Sequence, residues 1–357
     1  MIPDFAKLGG IKRKFINPPP LNDMMQTTHH WKDIFQELVD DVDLVLEILD
    51  ARNPIGTHNS TVEDFIEDNH VNVELVLVLN KIDLIPRELI SEWYQYFQKK
   101  GYKVFSTTAR YDGGIVKLKK FLQNLPKNEI NDVMIVGYPN TGKSSLIESL
   151  GKHKKKIGIS SKAGFTRSLM KVKLYPHVFL IDTPGVIPFG ETDEVDMALK
   201  SCMMADKLDD PLSVVEAIFN LLNVVHFNDY YRLNLSKDAK VDDLLHSLGK
   251  KFGMLVKGGK INRDAVQKRI IRDWQENNLK YYVVPPTMDK KEKEKYLKDG
   301  RAISFKKNPK KDRKEGKSHK KPVKGPQKGM IPPSLGIRKK DKGKRKKDEE
   351  KRQRKKR

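Results

Sequence analysis

Apolar residues in the first half of the chain come in short unbroken runs, and further on they recur at helical spacing. Val73 to Leu79, Val133-Met134-Ile135-Val136 and Val178-Phe179-Leu180-Ile181 are rich in valine, leucine and isoleucine. Runs of that kind predict strands buried on both faces, as in a parallel sheet covered by helices. Another strand is expected at Lys103 to Ser106, and Ser144 to Leu150 reads as a helix. From Glu191 to Asn277 the pattern is helical. Its last segment places Val266, Ile270, Ile271 and Trp274 near one helical face, with Arg263, Lys268, Arg269 and Arg272 among and opposite them. The expectation is an α/β domain with a mainly parallel sheet over residues 29–188 and a smaller helical domain over 189–288.

Polar signatures stand at the ends of the predicted strands. Gly137-Tyr138-Pro139-Asn140-Thr141-Gly142-Lys143-Ser144 fits G-x-x-x-x-G-K-(S/T), between a strand and a helix. Glycines there let the backbone wrap an anion, so that N–H groups and a helix N-terminus point at phosphate oxygens. Residues Gly137 to Ser145 would then surround the phosphates, Lys143 would reach the β- and γ-phosphates, and Ser144 would ligate Mg²⁺. Asn80-Lys81-Ile82-Asp83 is a guanine-reading signature, because a carboxylate at Asp83 can accept hydrogen bonds from guanine N1–H and its exocyclic amine. Thr108 and Ala109, after the strand ending at Ser106, stand where a loop N–H could bind guanine O6.

Asp182-Thr183-Pro184-Gly185 ends the third run, with Asp182 expected on Mg²⁺ and the Gly185 N–H on the γ-phosphate. Thr166, in Ala163 to Arg167, is the candidate for a second metal-bound hydroxyl. Together these residues specify GTP or GDP with Mg²⁺. The guanine signature precedes the phosphate loop, so the order of parts is circularly permuted. One mechanical consequence follows: the chain beyond Gly185 leaves the nucleotide domain, which attaches the switch covalently to the helices that follow.

The order Asp50-Ala51-Arg52-Asn53-Pro54, Asn80 to Asp83, Gly137 to Ser144, Gly164 to Arg167, Asp182 to Gly185 resembles the circularly permuted GTPases of ribosome assembly. Val45 to Arg52, Lys207-Leu208-Asp209-Asp210-Pro211 and Lys257-Gly258-Gly259 look most like the nucleolar branch, the nucleostemin-like and nucleolar GTP-binding proteins. The likeness runs from about Trp31 to Pro286. It implies maturation of the large ribosomal subunit in the nucleus and nucleolus, with pre-ribosomal RNA, precursor particles and ribosomal proteins as partners. Two departures stand out: Asn53 where many relatives carry aspartate, and a basic arm at the C-terminal end.

Charge agrees with a polyanionic partner. The chain has 70 Lys+Arg against 47 Asp+Glu, net +23, and about 31 basic against 10 acidic residues fall between Asp289 and Arg357. That composition predicts a disordered tail over 289–357, with Arg338 to Lys347 and Lys351 to Arg357 suited to phosphate backbones or to nuclear address signals. Met330 to Ile337 interrupts it with apolar residues and prolines. Residues 1–28, with Lys12-Arg13-Lys14 and Pro18-Pro19-Pro20, read as an extended basic arm. The single cysteine, Cys202, excludes an internal disulfide, and no apolar run reaches membrane-spanning length, so no membrane is expected.

Catalysis is less well specified. Val186 stands where many GTPases carry a water-orienting glutamine, so unaided turnover should be slow. Asn140 occupies the position that holds a K⁺ ion in potassium-dependent relatives. His29 and His30 lie roughly where bacterial relatives carry a histidine, but their surroundings do not match, and a packed or solvent-facing pair is expected. The catalytic set is therefore Asn140, Lys143, Thr166 and Gly185. An RNA-binding assembly factor in which GTP only stabilises the fold is the alternative. A translation or tRNA-modification GTPase is disfavoured by the permuted order and the tail.

Overall fold

A computed structural model of the chain describes residues 42–68, 73–108, 114–151, 156–158, 170–183, 193–297 and 301–303. The arm at 1–28, His29, His30, Ala109, Thr166, Pro184, Gly185 and residues 304–357 lie outside them. Among the described residues, seven strands form one sheet: β1 (Leu44–Asp50), β2 (Glu74–Asn80), β3 (Lys103–Ser106), β4 (Asn131–Val136), β5 (Lys156–Gly158), β6 (Met170–Tyr175) and β7 (Val178–Asp182). Their spatial order is β3-β2-β1-β4-β7-β6-β5. The first five in that order are parallel, and β6 runs antiparallel to both β7 and β5. The α/β fold with a mainly parallel sheet is therefore present, with the guanine-motif strand β2 and the phosphate-loop strand β4 on either side of β1.

Alternation along β1 and β2 divides the core. Leu44, Leu46 and Ile48 of β1, with Val76 and Val78 of β2, pack against helices α3 (Ile115–Gln123) and α4 (Lys143–Leu150). Val45 packs instead with Val62 of α1 (Ser60–Asp68). Leu49, Leu77 and Leu79 join α2 (Arg87–Lys99), through Leu89, Trp93 and Phe97, in a core that continues into the helical region. Every residue of β1 is buried, Glu47 and Asp50 included, which is how a central parallel strand differs from a two-faced antiparallel one.

The helical region comprises α5 (Glu194–Leu199), α6 (Pro211–Leu221), α7 (Val224–Tyr231), α8 (Val241–Lys251) and α9 (Arg263–Gln275). Asp193, Asp210, Asn223 and Asn262 each cap a helix by accepting a backbone N–H, which sets the helix starts. The expected face of α9 is buried: Val266, Ile270, Ile271 and Trp274 all belong to the core shared with Leu49, Leu77 and Trp93. Trp274 stacks on Tyr281, ring centroids 3.7 Å apart. Between α8 and α9 the chain is a hairpin, with Leu255 bridged antiparallel to Ile261.

One boundary differs from the sequence reading. Residues from Asp289 onward were expected to lack fixed structure, yet Lys290–Leu297 forms helix α10, and β9 (Ala302–Ile303) pairs with β8 (Tyr282–Val283). Ala302 and Ile303 are buried. Composition averaged over the tail hides these two apolar residues, and their docking becomes visible only once β8 supplies an edge.

Candidate nucleotide-binding site

The site forms where β1, β2, β4 and β7 end together, the usual ligand crevice of such sheets. After β4 the loop Gly137–Gly142 leads into α4 at Lys143. The Lys143 Nζ folds back and donates to the carbonyls of Gly137 and Tyr138, both at 2.9 Å. Burial presses its pKa down to about 8; the charge of Asp182 and Cys202 opposes that, and Lys81 adds to it. Across the loop, the Ser144 hydroxyl donates to Asp182 Oδ2 at 3.3 Å, because β4 and β7 are parallel neighbours and Ile135 pairs with Asp182. A hydroxyl and a carboxylate so close are a hard-oxygen pair that fits Mg²⁺, which keeps much of its water shell and needs few protein ligands. Thr183 next to it donates its hydroxyl to the Ile135 carbonyl at 2.7 Å.

The guanine motif is fastened to this loop at two points. Asn80 Nδ2 donates to the Thr141 carbonyl at 2.9 Å, and Lys81 Nζ donates to the Asn140 carbonyl at 2.6 Å. Gly142 makes the first contact possible: its φ is +98°, and a Cβ there would lie 2.3 Å from Asn80 Nδ2. Asp83 is exposed at the rim, where its carboxylate accepts from the Thr108 hydroxyl at 2.6 Å. Thr107 donates to Asn80 Oδ1 at 3.3 Å, so the loop after β3 is tied to the motif as well. The structure thus brings Asn80, Lys81, Asp83, Thr108, the phosphate loop, Ser144 and Asp182 to one edge. The positions of Ala109, Thr166, Pro184 and Gly185 lie outside the described residues.

Two residues that sequence reasoning gave no role hold the site together. Asp50 ends β1 with its carboxylate buried, and it accepts from Lys81 Nζ at 2.7 Å and from Arg52 Nη2 at 2.7 Å and Nε at 3.0 Å. Burial alone would raise the Asp50 pKa, but the Arg52 and Lys81 charges override it and hold the carboxyl far below the usual range. Arg52, 2% exposed, lies over the Tyr281 ring at 5.0 Å, and its carbonyl accepts from the Val283 N–H at 2.7 Å. An acid and a base two residues apart immediately after an apolar run were the available signal.

Asn140 supplies a third tie. Its Nδ2 donates to the Ser201 carbonyl at 2.6 Å, and both residues have φ of +61°, a conformation that costs a non-glycine residue energy. The neighbouring Lys200 ammonium lies over the Tyr138 ring at 5.0 Å. The loop after α5 is held from its other side by α9: Trp274 Nε1 donates to the Leu199 carbonyl at 3.0 Å, and Gln275 Nε2 to the Met203 carbonyl at 2.6 Å.

Comparison with known proteins agrees with this geometry. The 50S ribosome-binding GTPase family matches residues 132–256, and the RsgA GTPase family matches residues 22–191. The guanine nucleotide-binding protein-like NSN1 of Arabidopsis thaliana is 34% identical over 276 residues, which span 69% of this chain and 47% of that protein. Nucleolar GTP-binding protein 2 of Saccharomyces cerevisiae is 29% identical over 276 residues, 76% of this chain and 56% of that one. The chain thus spans about half the length of the curated relatives it matches. Among solved structures, GDP-bound TM YlqF superposes with a TM-score of 0.51 at 22% identity, covering 77% of this chain and 99% of that one, a likeness of fold.

Replacing Asp50 by Asn should cost about 3 kcal/mol of stability, because Arg52 is left buried without its counter-charge. Urea unfolding of the variant and the unaltered chain measures the loss.

Proposed function

We propose that the chain is a circularly permuted GTPase that binds and hydrolyses GTP as a switch on precursors of the large ribosomal subunit. Pre-ribosomal RNA, ribosomal proteins and precursor particles are its proposed partners, and the nucleus and nucleolus its proposed location. The observation that carries the reading is the pair of bonds from Asn80 and Lys81 to the phosphate-loop carbonyls, which sets a guanine reader and a phosphate cradle on one rigid support. The nucleolar name of the yeast relative and the ribosome-binding family match support the setting.

In this reading Asp83 accepts the N1–H and amine of guanine. Lys143 exchanges the carbonyls of Gly137 and Tyr138 for phosphate oxygens, and the Gly185 N–H meets the γ-phosphate. Ser144 and Asp182 would hold Mg²⁺, with Thr166 as the second hydroxyl; the ion would offset charge on the β- and γ-phosphates. Val186 offers no hydrogen bond to an attacking water, so the intrinsic rate is low. Asn140 would hold a K⁺ ion through its side-chain oxygen while its amide nitrogen stays on Ser201, and the ion would supply positive charge beside the phosphates. That bond is also the route outward: any movement of Asn140 is felt at Ser201, and through Leu199 and Met203 at α9. A second reading, in which GTP only stabilises the fold, is favoured by Val186 alone.

Four outcomes follow. Replacing Asp83 by Ala should weaken GTP binding about 100-fold and erase the preference over ATP, measured by competition with a fluorescent nucleotide. Phosphate raises the Lys143 pKa again from about 8, so nucleotide binding near pH 8.5 should take up a proton that is not taken up at pH 6.5; binding enthalpies in buffers of different ionisation heat report it. Turnover should be faster in K⁺ than in Na⁺, and equal rates would count against the role given to Asn140. Amide exchange in residues 198–204 should differ between GDP and a GTP analogue; identical exchange favours the structural reading of the nucleotide.

A further inference from the structure

The cations of α9 are engaged with acids. Arg263 pairs with Asp242, Lys268 with Asp264 at 2.9 Å, Arg269 with Asp273 at 3.7 Å, and Arg272 with Asp206 at 2.7 Å. The hairpin in front of that helix is different. From Gly249 to Asn262 the sequence carries Lys250, Lys251, Lys257 and Lys260 and no acid. Lys251 is spent on the Arg232 carbonyl at 2.7 Å, while Lys250, Lys257 and Lys260 are exposed.

This hairpin has a defined shape. Val256 N–H bonds the Lys260 carbonyl at 2.8 Å, Gly259 N–H bonds the Val256 carbonyl at 3.1 Å, and Asn262 N–H bonds the Met254 carbonyl at 2.8 Å. The turn needs φ of +93° at Gly258 and +75° at Gly259, and a Cβ at either would meet nothing within 4 Å. The tip is bare backbone that a polyanion can approach closely. At the base, Ile261 sits tightly on Gly249 of α8.

The tip also displays apolar surface: Leu255 is 48% and Val256 45% exposed. Near them in the chain Phe252 is partly exposed, and the Arg269 guanidinium carbon lies 3.9 Å from its ring centroid. The buried Tyr231 ring contacts both Phe252 and Tyr230. Lysines without acids, an arginine-backed aromatic ring and a protruding aliphatic pair combine what phosphates and unstacked bases each require.

We propose that the Gly249–Asn262 hairpin, with Phe252 and Arg269 beside it, is a docking surface for RNA at a place where bases are unpaired. Lys250, Lys257 and Lys260 contact phosphates, and Leu255 and Val256 pack against the bases. The inference rests on the RNA-partner reading above and deepens it by assigning a surface.

The test uses the full chain and two labelled RNA hairpins of equal stem, one with an internal loop and one fully paired. A photoreactive p-benzoylphenylalanine in place of Val256 should crosslink to the looped RNA well above the same group in place of exposed Val116. Leu255→Ser with Val256→Ser should weaken looped-RNA binding roughly tenfold and leave the paired RNA nearly unchanged. Lys257→Ala with Lys260→Ala should lower the slope of log K against log salt by about 1.4 to 1.8. If the unaltered chain binds neither RNA, the partner reading falls and the inference with it. If it binds both while the hairpin variants match it, or if position 256 crosslinks no better than position 116, the inference alone is overturned.

Discussion

The Asp50 carboxylate is the point on which the rest of the site depends. It is a charge buried at the end of a strand with no exposed residue, which physics permits only because two cations compensate it. One of them, Lys81, belongs to the guanine motif and reaches on to the phosphate loop; the other, Arg52, reaches the aromatic pair Tyr281 and Trp274. A single buried anion therefore ties the Asn80–Asp83 segment to the Gly137–Gly142 loop through Lys81 and to the helical region through Arg52. Such an arrangement is poorly suited to gradual adjustment, because a partly separated buried ion pair is worse than either a paired or an absent one.

Circular permutation gives that rigidity a use. The strand that carries Asp182 is followed in the chain by α5, and α6 and α9 bury apolar residues in the same core as Leu49, Leu77 and Leu79 of the sheet. The nucleotide edge and the helices thus share a hydrophobic interior, a covalent connection and the Asn140 to Ser201 bond. Left-handed backbone at both ends of that bond stores a modest strain, held in place by the packing on either side. The phosphate loop and the helices are thus in direct contact through Asn140 and Ser201.

Electrostatics separates the helical region into two kinds of surface. On α9 positive charge is balanced by carboxylates from its own or neighbouring elements, so it contributes to structure more than to the external field. On the hairpin the lysines face no acid of their own segment and flank uncovered apolar side chains. Counting basic residues along the chain does not distinguish these cases. Counting which of them already have partners does.

How much was legible in advance follows from the range of each interaction. Local order was written in the chain: the valine-rich run before Asn80, the glycines at 137 and 142 and the apolar face of α9 each reflect constraints among residues close in sequence, and strands β2, β3, β4 and β7 appear where those runs stand. The inverted order of motifs likewise needed only reading. Asp50 and Arg52 gained their roles only from the fold, because their partners Lys81 and Tyr281 lie far along the chain. The same holds for Ser201 opposite Asn140, for Asp206 opposite Arg272 of α9, and for Ala302 and Ile303 docked beside β8. Sequence determines which groups can satisfy a charge or a hydrogen bond. Tertiary structure decides which of them must, because burial removes the water that would otherwise have done so.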